Sequence, residues 1–347
     1  MKLRVALFSA VASGACAVAL LFLAVALGEA QTNALRQSFQ IATGPTDGTY
    51  FPVGQLIAGV VSHPPGVDRC QIPDVCGPEG LIISARTSDG SVANVLAVNA
   101  GRVDSGLAQA DIVDDAVKGS GPFRHSGRQT HVRVLAGLFD EDVHLVVAAH
   151  SKIAKVADLR GKRVSIGGEQ SGTLEMARSV LAAYGLSERT IKARHDPADM
   201  SAALLGSKVD AFFFVGGAPV PLIDDLIARG QARLVPIDGK GRDRLIKAVR
   251  ALSSDIIPAN TYRGVPAVQT VRVRALWIVR DSASVPLVYG IAKSLFHASN
   301  RAQLDAAMPA TRAIRIDDAA TVLPAPLHPG SERYLRELGR LPRAIKT

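Results

Sequence analysis

The sequence predicts an α/β protein of two lobes, each built on a mostly parallel, doubly wound sheet. Three observations carry that expectation. Two strand–glycine-rich loop–helix corners lie far apart in the 347-residue chain. Segments with strand character alternate with segments at helical spacing along its length. The run VDAFFFV, residues 209–215, is apolar but for Asp210 near its start, as expected of a strand buried on both faces. These strands are too many for one compact sheet, and 347 residues suffice for two domains of ordinary size.

The central corner organises the chain. RVSI, residues 163–166, reads as a buried strand, and residues 167–173 form a loop of small residues. Leu174, Ala177, Val180, Leu181 and Tyr184 then recur at helical spacing until Gly185 supplies a left-handed stop. The free N–H groups of the first helical turn and the positive end of its dipole point beyond the strand, which makes an anion site. The plainer alternative is that Ser171 or Thr173 only caps the helix. The first corner repeats this grammar: a strand over residues 39–43, a turn-rich loop from Gly44 to Thr49, then a helical face of Val53, Leu56, Ile57, Val60 and Val61. Pro52 belongs in the first turn of that helix.

Between the corners, GLIISAR is a strand and Ser91 can cap a helix that stops at Gly101. VDSGLAQA is a strand, and Asp111 opens a short helix ending near Lys118. GSGPFRHSGRQ reads as an exposed loop, followed by two strands, VRVLAGL and VHLVVAA, and a helical turn over residues 156–162. Beyond Gly185, Asp196-Pro197 starts a helix that Gly206 ends. Pro219 or Pro221 opens another that reaches Gly230. ARLVPID is a short strand and VRVRALWIVR a long one, with a helix after it carrying Leu287, Val288, Ile291 and Leu295.

Lys2 and Arg4 precede an apolar run over residues 5–27, and Gly28-Glu29-Ala30 offers a small-x-small cleavage site. Residues 1–30 therefore read as a secretory signal peptide cleaved near Ala30, with a retained anchor as the alternative. Cleavage removes Lys2, Arg4 and Glu29, two cations and one anion, so the net charge passes from +9 to +8. The basic residues are scattered and aromatics are only 5%, which argues for a solvated basic surface and against a nucleic-acid partner. Cys70 and Cys76, an even pair in an exported chain, are expected to form a disulfide. No second Cys or His pair at ligand spacing accompanies them, so no metal is expected.

The glycines of GGEQSGT lack dinucleotide-site spacing, and no phosphate-loop, nucleophile-elbow or zinc-protease motif occurs. His144 and His150 read as core or hinge residues. Asp104, Asp111, Asp114 and Asp115 fall on helix starts and solvated faces. Nothing demands catalysis or a cofactor. What remains is a set of neutral polar residues at or just past predicted strand ends: Tyr50, Ser91, Asn94, Gln109, Ser171 and Thr173. Singly each has a structural role; their shared position suggests a ligand cleft.

At these residues the chain resembles the TAXI family, the solute-binding proteins of a branch of the TRAP transporters. The resemblance runs through IATGPTDGTYFPVG, the block from CQIPDVC to GLAQADI, FDEDVHLVV, GKRVSIGGEQSGTLEMA, VDAFFFVGGAP and APLHPGSERYL. It implies a type II periplasmic-binding-protein fold, with residues 31–140 and 272–347 in one lobe and residues 141–271 in the other. It also implies a small carboxylate or amino-acid ligand such as glutamate, glutamine or 2-oxoglutarate, a periplasmic address and a TRAP-type membrane permease as partner. A ligand-sensing subunit signalling to a membrane kinase is the runner-up, and an enzyme comes third. Carried over by motif, the ligand set is Gly44, Tyr50, Ser91, Asn94, Gln109, Ser171, Gly172, Thr173, Gly217 and Ala218. No arginine stands among them, so N–H and hydroxyl donors would hold a carboxylate. The chain departs from the family at Phe51, the second aromatic after the first loop, and at Gly216, where an alanine is usual.

Overall fold

The computed structural model describes residues 36–195, 200–321 and 323–341. The expected signal segment and the Asp196-Pro197 helix start lie outside them. No helix among the described residues is long and apolar enough to cross a membrane.

The first lobe opens with β1 (Gln37–Ala42), α1 (Tyr50–Val61), β2 (Leu81–Arg86), α2 (Ser91–Asn99), β3 (Ser105–Gln109) and α3 (Ala110–Lys118). β1 lies between β2 and β3, parallel to both, so all three strands direct their carboxyl ends to one edge. Cys70 and Cys76 are joined in the loop after α1. Ser294 and Asn300 hold that loop by donating to the Val75 carbonyl.

β4 (Val132–Ala148) is the longest strand. Two strands are predicted here; the structure has one. The acids at 140–142 interrupt the apolar run but not the ladder, because strand pairing uses the main chain. The second lobe follows: β5 (Arg163–Ser165), α4 (Gly172–Ala183), β6 (Lys192–Arg194), α5 (Met200–Leu205), β7 (Ala211–Gly216), α6 (Pro221–Ala228), β8 (Ala232–Val235), α7 (Gly239–Ala248) and β9 (Leu252–Ile257). β5 is parallel to β6 and β7. β10 (Val268–Arg280) then returns antiparallel to β4, pairing first with β9 and later with β3. The chain closes with α8 (Val285–Leu295), α9 (Arg301–Ala307), α10 (Pro309–Arg312) and α11 (Pro329–Glu337) on the first lobe.

The two long strands are what the lobes share. Asp142 is the crossing point at which β4 passes from its ladder with β10, at Arg272, to its ladder with β7, at Gly216. The parallel β2-β1-β3 and β7-β5-β6 sets flank this antiparallel pair in the order β2-β1-β3-β10-β4-β7-β5-β6. All ten of these strands hydrogen-bond into one continuous sheet, in which the long antiparallel pair joins the two parallel sets, where separate sheets were expected. One core gathers around Trp277 and Phe39, a second around Phe212 and Tyr262. The segment expected as an exposed loop after α3 contributes Phe123 to a third core, fully buried.

Candidate functional site

A cavity of about 490 Å³ lies where the strand-end loops of the two lobes face one another. Gly44, Tyr50, Ser91 and Gln109 border it from the first lobe, and Ser171, Gly172 and Thr173 from the second. Seven of the ten residues expected at the ligand therefore line one space.

The other three stand apart from it. Asn94 is fully buried, and its Nδ2 donates to the carbonyls of Ala42, Thr43 and Leu107. It ties the ends of β1 and β3 together and so holds the cavity's rim. Gly217 leaves the strand on the far side, where an added Cβ would come within 3.2 Å of Ala310 and 3.5 Å of Phe139. Ala218 follows it, joined to Pro219 by a cis peptide bond.

The two helix starts at the cavity differ in what satisfies them. Ser171 caps α4, its Oγ accepting from Leu174 N at 3.1 Å. The capping alternative is thus realised, and Gly172 and Thr173 of the same first turn still border the cavity. Ser91 does not cap α2; its Oγ accepts from Gln109 N. The N–H groups of Val92 and Ala93 donate instead to the carbonyl of Gln170, at 3.0 and 3.2 Å, across from the other lobe. Gln170 adopts the left-handed conformation, φ 65°, to present that carbonyl. Close approach of the lobes also explains Gly172: a Cβ there would fall 1.9 Å from Gln109 Oε1 and 2.9 Å from Ser91 Oγ.

Glu141 is the residue that sequence reasoning missed. It sits on β4 beside the crossing point, lines the cavity and is 2% exposed. Tyr50 donates its hydroxyl to Glu141 Oε2 at 2.7 Å. Burial pushes Glu141 up from 4.5 to about 8, and Asp111 and Asp142 add to that push. Asp111, expected on a solvated face, is buried in the first turn of α3 and is raised by burial to about 7. The available signal was strand parity. In Asp140-Glu141-Asp142 the middle side chain faces the opposite side from its neighbours. Phe214 and Met200 supply apolar wall, and His195 adds an imidazole whose Nε2 lies 3.1 Å from Glu188. His144 is the core histidine expected. It is buried against the Tyr262 hydroxyl at 2.8 Å, and burial pushes it down to about 4.

Among solved structures the chain is similar to the periplasmic aliphatic sulphonate binding protein SsuA from Escherichia coli, at 18% identity and a TM-score of 0.45, covering 88% of this chain and 84% of that one. It is similar to a periplasmic transporter at 11% identity and a TM-score of 0.49, covering 87% and 92%. A putative L-cystine ABC transporter from Listeria monocytogenes matches at 14% identity and a TM-score of 0.45, covering 77% and 92%. The model of the NMT1-like family matches residues 41–339, nearly the whole described chain, and the protein belongs to that family.

Proposed function

We propose that this chain is an extracytoplasmic solute receptor that captures a small carboxylate-bearing solute between its lobes and delivers it, chemically unchanged, to a TRAP-type membrane permease. The observation that carries the reading is the cavity itself. Its walls are loops at the carboxyl ends of parallel strands from both lobes, where open α/β sheets bind ligands. Its size suits a small metabolite. The resemblance to the TAXI family supplies the permease class, and the reading of residues 1–30 as a signal peptide supplies the address.

Residues 31–140 and 272–347 form the first lobe in this proposal and residues 141–271 the second, with β4 and β10 as the hinge. The carboxylate sits at the first turn of α4, held by its main-chain N–H groups and by Ser171 and Thr173. Such a start favours an anion by about 0.3 to 1 kcal/mol, and each bond to a charged acceptor adds about 1.5 to 3 kcal/mol. A thermal-shift screen of small carboxylates against the mature chain tests the reading. A ligand at a hundred times its dissociation constant stabilises by about 2.7 kcal/mol. No shift with any carboxylate counts against it.

A further inference from the structure

Apart from His195, whose imidazole faces Glu188, the charged lining of the cavity has one sign. Asp47, Asp89, Glu141 and Glu169 border it, and no lysine or arginine does so among the described residues. Three of these acids are exposed, where water and salt screen them. Glu141 is buried, and among the described residues its hydrogen bond comes from the Tyr50 hydroxyl. The other groups acting on it from the packed elements are Asp111 on α3 and Asp140 and Asp142 on its own strand, all acids. Thr49 Oγ1, on the same wall, is buried without a partner. A buried carboxyl is normally matched by a cation or by several donors. Here the wall leaves that place to whatever enters.

We propose that the cavity takes a solute bearing a protonated amine or amidinium group, and that Glu141, steadied by Tyr50, is the residue that selects it. The inference rests on the receptor reading and deepens it. The α4 start receives the negative end of the solute and Glu141, bonded to Tyr50 of the first lobe, the positive end, so separate parts of the cavity wall read the two poles. A zwitterion such as an α-amino acid satisfies both. A 2-oxo acid or a dicarboxylate lacking nitrogen leaves Glu141 with nothing to bind. Burial favours the protonated form of Glu141 in the empty cavity, so a cation that binds there displaces a proton.

Calorimetry with matched pairs tests this: L-glutamate with 2-oxoglutarate, L-glutamine with 2-oxoglutaramate, L-alanine with pyruvate, L-leucine with 4-methyl-2-oxopentanoate, and the corresponding amines without a carboxylate. The best-bound amino acid should exceed its oxo acid by about a hundredfold. The ratio should collapse below about tenfold in Glu141→Gln, whose amide oxygen still accepts from Tyr50. Repeating the wild-type titration in buffers of different ionisation enthalpy should show proton release, a readout that does not depend on the variant folding. An oxo acid that binds as tightly as its amino acid, an unchanged ratio in Glu141→Gln or binding without proton release each overturns the inference and leaves the receptor reading standing. Amines that bind while no carboxylate does would support the inference and overturn the carboxylate. No binding by any probe overturns both.

Discussion

Glu141, the buried Asp111 and the half-buried Asp142 tie stability to pH. Burial raises Glu141 from 4.5 to about 8, and Asp111 and Asp142 from 3.8 to about 7. Unfolded, they ionise near their ordinary values. From there up to their folded values the native state therefore holds protons that the unfolded state has lost. Their contribution is complete at low pH and is lost as pH rises to between 7 and 8. His144 has the opposite sense. Burial lowers it from 6.5 to about 4, so its contribution is complete above 6.5 and lost as pH falls towards 4. Between pH 6.5 and 8 the acids act without opposition from it. The urea midpoint should fall across that window, and Glu141→Gln should flatten the fall by up to about 1.4 kcal/mol per pH unit. Parallel curves for the two proteins would contradict this. The sequence made Ser171 legible, because a loop serine before a helix is a known cap. It left Glu141 obscure, since an acid between two acids looks solvated until the ladder shows which face it takes.

At the scale of the element, the α4 start separates affinity from stability. The double change Ser171→Ala with Thr173→Ala should weaken binding of the solute by at least about tenfold, through lost donors to a charged group. Losing the cap should lower stability by about 1 kcal/mol. Titration of the folded variant distinguishes the two, and unchanged affinity would mean that the corner is only a cap. Gly172→Ala adds a side chain where Gln109 and Ser91 already sit. It should keep the lobes from meeting and weaken binding without altering either lobe's own core. Affinity equal to that of the parent would contradict it. The loop closed by Cys70 and Cys76 calls for a different measurement. Reduction should cost roughly 2 kcal/mol in denaturant unfolding, as expected for so short a loop. No change on reduction would show that the loop's other ties suffice. The corners were legible because glycine loops, a cap and helical spacing coincide in them. The continuity of β4 was not, because hydropathy reports faces and a strand's length is set by its main-chain partners.

For the whole molecule, the alternation of strands and helices was enough to expect two α/β lobes, and the two long strands explain how one chain makes both. What the pattern could not convey is how near the lobes stand, since that rests on main-chain contacts such as Gln170 with Val92 and Ala93. If those contacts belong to the ligand-bound arrangement, hinge motion about β4 and β10 should open the cavity in the empty protein. Solution scattering should then give a smaller radius of gyration with ligand than without. Identical curves at saturation would rule out a clamp. The receptor reading meets its most direct test in native mass spectrometry of chain purified from the cells that export it, followed by release and identification of whatever it carries. The expected result is one small solute per chain, bearing a carboxylate and recovered unchanged after incubation with the protein. A chain that carries no such solute and binds none on incubation with small carboxylates, or one that converts its solute to a product, would contradict it.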